Sequence, residues 1–206
     1  QKDAMLYHLP TIETLTTLVE KVDNRIFEKT MYHHDFLEFR MGLADTEPSF
    51  KIKYDIDEMN DKKEPLVEMA DDLKKSYETL PKLPYAISLK QGAVGFIGSR
   101  PHVLEQLQLM LAQLSVFHSY HDLELITVFP EREKDQWDWA RWLPQASMRE
   151  MNIRGFVYHD RSRDQVLSSL YQILKARRQA KDEKNSKDMV FSPHYVVTIT
   201  DETLVV

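Results

Sequence analysis

The spacing of hydrophobic residues divides the chain into two parts. In the first part, apolar residues recur at helical spacing over 11–22, whereas polar and apolar residues alternate over 35–41 and 49–54. These patterns predict a short amphipathic helix followed by two antiparallel strands with one exposed face. Another helix is predicted from Pro65, because proline suits the first turn of a helix.

From Pro84 onward, short apolar runs typical of strands are separated by stretches with helical spacing. The strands are predicted at 85–89, 93–97, 123–129, 153–158 and 195–200. Helices are predicted from Val103 and from Ser162, where Gln165 completes a capping-box pattern. Such alternation indicates an α/β fold with a mainly parallel sheet covered by helices.

Composition and charge exclude several classes of protein. The 206 residues are 42% hydrophobic and 29% charged, with no Cys and a net charge of −6. A disulfide framework and a thiolate metal site are therefore excluded, and the acidic balance disfavours a general binder of nucleic acid or anionic membranes. No apolar run approaches the roughly 20 residues of a spanning helix. Because the chain lacks an initiator Met, we expect it to be a piece of a longer protein.

Three of the five glycines lie within residues 92–98, at a predicted strand-to-helix junction. Such junctions bind phosphate in many α/β proteins. A P-loop, however, needs a Lys after its last glycine, and here Gly98 is followed by Ser99, Arg100 and Pro101. We therefore interpret the glycines as turn and packing residues, with Ser99 capping the helix. The positive charge of Arg100 can attract a phosphate, so weak nucleotide binding stays open as an alternative.

An acidic pair, Asp201 and Glu202, follows the last predicted strand. In nucleotide hydrolases this position holds a carboxylate that orients Mg²⁺, next to a Glu that activates water. Buried strands also end in exposed acidic turns without any catalytic role. Asp201 and Glu202 are therefore the candidate catalytic residues, and Gly98, Ser99 and Arg100 are the candidate cofactor contacts.

Histidine and tryptophan cluster elsewhere in the chain. Histidines occur within 33–35 and 118–122, without the further ligands that a metal site needs, so no metal site is expected. The three tryptophans are Trp137, Trp139 and Trp142, close to Arg141. Acidic residues surround them and would repel phosphates, so we interpret this group as packing or as a protein interface.

Five segments of the chain resemble one protein family. They are Arg25–Lys29, His34–Gly42, Phe117–Asp122, Trp137–Pro144 and Pro193–Asp201. Together they are similar to the EssC/EccC membrane ATPases of type VII secretion, in the region between the transmembrane segments and the first full motor domain. That region is called the DUF domain. The sequence of the Phe117–Asp122 segment resembles the EssC branch found in Firmicutes.

The resemblance implies a fold and a division into domains. These ATPases are part of the FtsK/SpoIIIE group, so we expect a RecA-like sheet with a small N-terminal helix and an antiparallel β extension. Residues 1–30 would form a helical linker from the membrane stalk, and 31–206 a degenerate ATPase domain. Gly98–Arg100 would stand at the Walker A position, where the lost Lys puts hydrolysis in doubt. Asp201 and Glu202 would match Walker B. Since the chain ends just after them, we expect part of the domain to lie beyond it.

The function implied is a non-catalytic or weakly nucleotide-binding module that couples the membrane anchor to downstream ATPase domains. An active ATPase with an atypical Walker A loop is the first alternative, and a DNA-translocase-like module is the second. No cofactor is expected to bind tightly, although ATP with Mg²⁺ stays open. Expected partners are the downstream ATPase domains, other secretion subunits and further copies in a homo-hexamer, but not nucleic acid. The expected location is the cytoplasmic face of the bacterial membrane, with contact to the membrane only through other segments.

Overall fold

The computed structural model describes residues 2–50, 65–183 and 189–205. Six helices and seven strands lie within these ranges. The helices are α1 (Lys2–His8), α2 (Ile12–Glu20), α3 (Pro65–Ser76), α4 (Arg100–Phe117), α5 (Lys134–Trp137) and α6 (Asp160–Glu183). The strands are β1 (Glu38–Thr46), β2 (Leu80–Ser88), β3 (Leu123–Val128), β4 (Ser147–Met148), β5 (Ile153–Arg154), β6 (Phe156–Val157) and β7 (His194–Ile199).

A three-stranded parallel sheet forms the centre of the fold, with the strand order β6-β3-β7. All six residues of β3 are buried, which explains why this strand is mostly apolar in the sequence, with Glu124 and Thr127 as the exceptions. Leu123 and Leu125 pack with α4 on one face, whereas Ile126 and Val128 pack with α6 on the other. The predicted α/β class, with a RecA-like, mainly parallel sheet between helices, is confirmed.

Two of the expected N-terminal elements are present as predicted. Helix α2 begins after Thr11, whose side chain accepts a hydrogen bond from the Thr14 N–H, and it buries Leu15 and Leu18 against Phe117 at the end of α4. Helix α3 begins at Pro65, where a helix was predicted. The periodicity of the sequence therefore located both helices.

The antiparallel extension contains a strand pair that was not predicted. Strand β1 pairs with β2, from Glu38 opposite Ser88 to Thr46 opposite Leu80. The pairing expected between 35–41 and 49–54 stays a prediction, because residues 51–54 lie outside the described ranges. Local alternation identified β1 as a strand, but the pattern holds no information on which distant strand will face it.

The strand predicted at 93–97 is not formed. The preceding 3-10 turn, Leu89–Gln91, ends at Gly92, whose φ of 130° is accessible to glycine but rarely to other residues. Residues 92–96 and 195–199 line the same cavity of about 490 Å³, so a cavity and not a strand ladder lies between this segment and β7.

The strand predicted at 153–158 is divided into β5 and β6 by Gly155. Strand β5 pairs with β4, whereas β6 joins the central sheet beside β3. A Cβ atom at Gly155 would collide with the backbone oxygen of Leu125, so only glycine permits this close crossing. Helix α6 begins two residues before the predicted cap, because the His159 Nδ1 atom accepts the Ser162 N–H.

The N-terminal segment is attached to the C-terminal end of α4. The backbone N–H groups of Phe27 and Lys29 donate to the carbonyls of Val116 and Phe117. The ammonium of Lys29 is buried and lies 3.1 Å from Asp35 Oδ2. None of the helices in the described ranges has the length and apolar character needed to cross a bilayer.

Candidate functional site

The start of α4 is the position at which the sequence predicted a phosphate contact. Ser99 is the N-cap residue, but its side chain makes no capping bond and instead lies 2.6 Å from His102 Nδ1. Pro101 occupies the first turn and has no N–H to offer. Gly98 has only an ordinary 3.7 Å approach of Val103 at its missing Cβ, so a side chain would fit there.

Arg100 is held by an ion pair at the start of α4. Its Nε and Nη2 atoms donate to Glu133 Oε1 at 2.9 and 2.7 Å, and Nη2 also donates to Oε2 at 2.8 Å. The Glu133 side chain is 6% exposed and the Arg100 side chain 43% exposed. This bidentate geometry fixes the guanidinium and neutralises the charge at the helix start.

The end of β7 meets the same group. Arg100 Nη1 donates to the Thr200 carbonyl at 2.7 Å, so the structure brings the two predicted site segments together. Asp201 Oδ1 accepts the Thr203 N–H at 3.1 Å and the Thr203 hydroxyl at 2.6 Å. These hydrogen bonds, chiefly the one from the Thr203 side chain, lower the pKa of Asp201. Glu202 is exposed in the 3-10 turn that follows.

Glu133 is the site residue that the sequence analysis missed. It follows β3 in the segment Pro130–Glu133, which ends an apolar strand just as Asp201 does. In a parallel sheet, the residues after neighbouring strands meet at one edge. An acidic residue after β3 was therefore the available signal that a carboxylate reaches the start of α4.

His118, from the second histidine cluster, is part of the core. Its side chain is completely buried, and its Nε2 atom accepts the Leu37 N–H at 3.0 Å. Its Nδ1 atom lies 2.9 Å from the Leu114 carbonyl and donates to it. Burial lowers the pKa of His118 from 6.5 to about 4. Within the described residues, no group of three His, Asp or Glu side chains is placed to hold a metal ion.

The three tryptophans have separate environments. Trp137 is fully buried and stacks on Phe129 with ring centroids 5.8 Å apart. Trp139 is 36% exposed, and Trp142 is 80% exposed beside the Arg141 guanidinium. Packing therefore explains Trp137, while Trp142 is on the surface.

The fold and this geometry define an α/β module with a RecA-like, mainly parallel sheet, in which an internal Arg–Glu ion pair lies at the start of α4. No protein-family model matches the chain. Its whole length aligns at 43% identity with the type VII secretion system protein EssC of Staphylococcus aureus (strain MSSA476) and at 42% with that of strain NCTC 8325. It aligns at 33% with the ESX secretion system protein EccC of Geobacillus thermodenitrificans. The resemblance to the EssC/EccC family is confirmed, and the chain spans about 14% of the length of these relatives.

Proposed function

We propose that the chain is a non-catalytic or weakly nucleotide-binding ATPase-like module of a type VII secretion protein, acting through contacts with other protein domains. One observation carries the proposal: Arg100, the cation at the first residue of α4, is already paired with Glu133. A nucleotide phosphate would have to displace a buried carboxylate that makes three hydrogen bonds to this guanidinium. Breaking such a pair leaves Glu133 buried without a counter-charge, which is strongly unfavourable.

The rest of the site supports the same conclusion. Ser99, which would stand near the hydroxyl that ligates Mg²⁺ in a P-loop, is engaged with His102. Asp201 is engaged with Thr203 through two hydrogen bonds. Both polar groups would have to exchange protein partners for a metal ion and its phosphates. ATP and Mg²⁺ are therefore not expected to bind tightly.

The second candidate function is an active ATPase that uses Arg100 with Asp201 and Glu202. The contact between Arg100 Nη1 and the Thr200 carbonyl favours it, because the two segments meet as they do in a working nucleotide site. In that case Glu133 would have to release the guanidinium when ATP binds. The two functions thus differ in whether Glu133 competes with nucleotide.

The assembly is proposed from the relatives. Because the chain corresponds to about 14% of their length, we place it among further domains of a longer polypeptide. We propose that it couples a membrane anchor to downstream ATPase domains at the cytoplasmic face of the bacterial membrane. Other secretion subunits and a homo-hexameric assembly complete the proposed partners.

Isothermal titration with ATP and Mg²⁺ tests the proposal on the wild type and on Glu133→Gln. The wild type should show weak binding or none, and Glu133→Gln should bind more tightly because the neutral amide no longer cancels the charge of Arg100. Glu131→Gln, an exposed position in the same 3-10 turn, is the matched control and should resemble the wild type. Tight, magnesium-dependent binding by the wild type that Asp201→Ala abolishes would establish the active ATPase instead.

A further inference from the structure

A wide cleft, whose lining includes neither Arg100 nor Glu133, lies where β3 and β6 end and α6 begins. Its volume is about 640 Å³. Its floor is aromatic: Phe129 lies between Trp137 and Tyr158, with ring centroids 5.8 and 5.6 Å from its own, and Phe156 meets it edge-on at 6.0 Å. We call it the Trp142 cleft, after the exposed indole at its rim.

The lining of the Trp142 cleft is cationic, although the chain as a whole carries a net charge of −6. Lys134, Arg141, Arg154 and Arg161 line it, against the single carboxylate of Asp138. Asp138 is paired with Arg141 at 3.2 Å. The other three basic side chains are exposed and have no ion-pair partner among the described residues. The cleft therefore presents unpaired positive charge.

Two tryptophans add features that are typical of a binding surface. Trp137 is fully buried in the cleft wall and stacks on Phe129, so it gives the cleft a rigid aromatic side. Trp142 is 80% exposed, with the Arg141 guanidinium 5.7 Å from its ring. Trp and Arg are the residues most enriched among binding hot spots.

The start of α6 uses three of its nearby backbone amides within the chain. The N–H groups of Tyr158 and His159 both donate to Ser162 Oγ, at 3.0 and 3.1 Å. The Ser162 N–H donates to His159 Nδ1 at 3.0 Å. These three amides are thus not offered to a ligand. The charged contacts of the cleft therefore come chiefly from its side-chain cations, and these suit carboxylates spaced along a peptide.

We propose that the Trp142 cleft binds an acidic peptide segment of a partner protein, with an apolar side chain of that segment against Trp142 and its carboxylates on Lys134, Arg154 and Arg161. This interaction surface deepens the proposed function, which acts through protein contacts, and it places one of those contacts. It uses none of the residues around Arg100.

Fluorescence anisotropy tests the proposal with a fluorescein-labelled peptide of alternating Glu and Leu. The labelled peptide should bind the whole chain in a saturable way, and binding should weaken as salt increases, because exposed charges are screened. Arg161→Glu should weaken binding at least about tenfold, which corresponds to about 1.4 kcal/mol. Arg178→Glu, an exposed arginine further along α6 and outside the cleft, is the matched control and should bind like the wild type. Trp142→Ala, at an exposed site, should also weaken binding without unfolding the chain.

Several outcomes would overturn the proposal. They are the absence of saturable binding, equal affinity in Arg161→Glu and Arg178→Glu, and equal binding of a Lys–Leu peptide. Displacement of the Glu–Leu peptide by a similar concentration of ATP would assign the cleft to a nucleotide. A dimer that Arg161→Glu dissociates in sedimentation would assign it to a second copy of the chain. Because the variants at Glu133 are read by ATP titration alone, failure here leaves the ATPase question separate.

Discussion

Mild acid is expected to destabilise the protein through His118. The Leu37 N–H donates to Nε2, so the neutral ring carries its proton on Nδ1, where it donates to Leu114. Protonating Nε2 would place two donors face to face in a fully buried position. Burial accordingly lowers the pKa of His118 from 6.5 to about 4. Between pH 6.5 and about 4 the unfolded chain binds a proton that the folded chain does not bind, so the free energy of unfolding falls as the pH falls.

The size of this effect follows from the pKa shift. Each pKa unit corresponds to about 1.4 kcal/mol, so the full shift of His118 is worth about 3 kcal/mol. At pH 5 only about a tenth of the folded form is protonated at His118, and about 2 kcal/mol of the free energy of unfolding at pH 7.5 should be lost through this residue. A loss of this size is a large fraction of the stability of a typical domain.

Urea unfolding at pH 7.5, 6 and 5, followed by tryptophan fluorescence, measures the loss. His118→Gln keeps an acceptor for the Leu37 N–H but cannot be protonated, so it should lose about 2 kcal/mol less than the wild type between pH 7.5 and 5. It should be less stable at pH 7.5, by about 1 kcal/mol, because the bond to Leu114 is weakened. His34→Gln, at an exposed position, should keep the pH dependence of the wild type. Equal pH dependence in His118→Gln and the wild type would refute the reasoning.

Two further substitutions test the packing. Gly155→Ala should lower the free energy of unfolding by about 3 kcal/mol, because its Cβ would collide with the Leu125 carbonyl, whereas Gly95→Ala, in open space, should leave it nearly unchanged. Equal effects in urea unfolding would contradict this. Lys29→Met should cost about 3 kcal/mol by leaving Asp35 without its counter-charge, and adding Asp35→Asn should recover part of that loss. No recovery in the double variant would argue against the ion pair.

Local patterns in the sequence were sufficient to locate several elements. The period of α2, the mostly apolar run of β3 and the start of α3 at Pro65 all depend on neighbours in sequence. The partner of β1 and the break at Gly155 depend on contacts with distant residues. No local pattern encodes which strand will face another, or where two backbones will cross.

The candidate site follows the same division. The sequence showed that no Lys follows Gly98, and that Asp201 follows an apolar segment predicted as a strand. It did not show that Glu133 reaches Arg100, because the two residues are 33 positions apart and the pairing depends on where β3 ends beside α4. A missing Lys indicates only that one favourable contact is lost. The carboxylate of Glu133 adds a group that opposes phosphate, and that opposition is the stronger reason to expect weak nucleotide binding.

Helix α4 connects the Arg100 site with the N-terminal segment, and the proposed function depends on both. It has 18 residues and therefore spans about 27 Å, from Arg100 at the site to Phe117 at the N-terminal segment. At the far end, Phe117 accepts the Lys29 N–H, and the Lys29–Asp35 ion pair fixes that segment to the fold. A buried helix moves as a rigid unit, because its side chains are packed along its length. A displacement of the N-terminal segment would therefore move the start of α4 against Glu133 and β7, and with it the Arg100 ion pair.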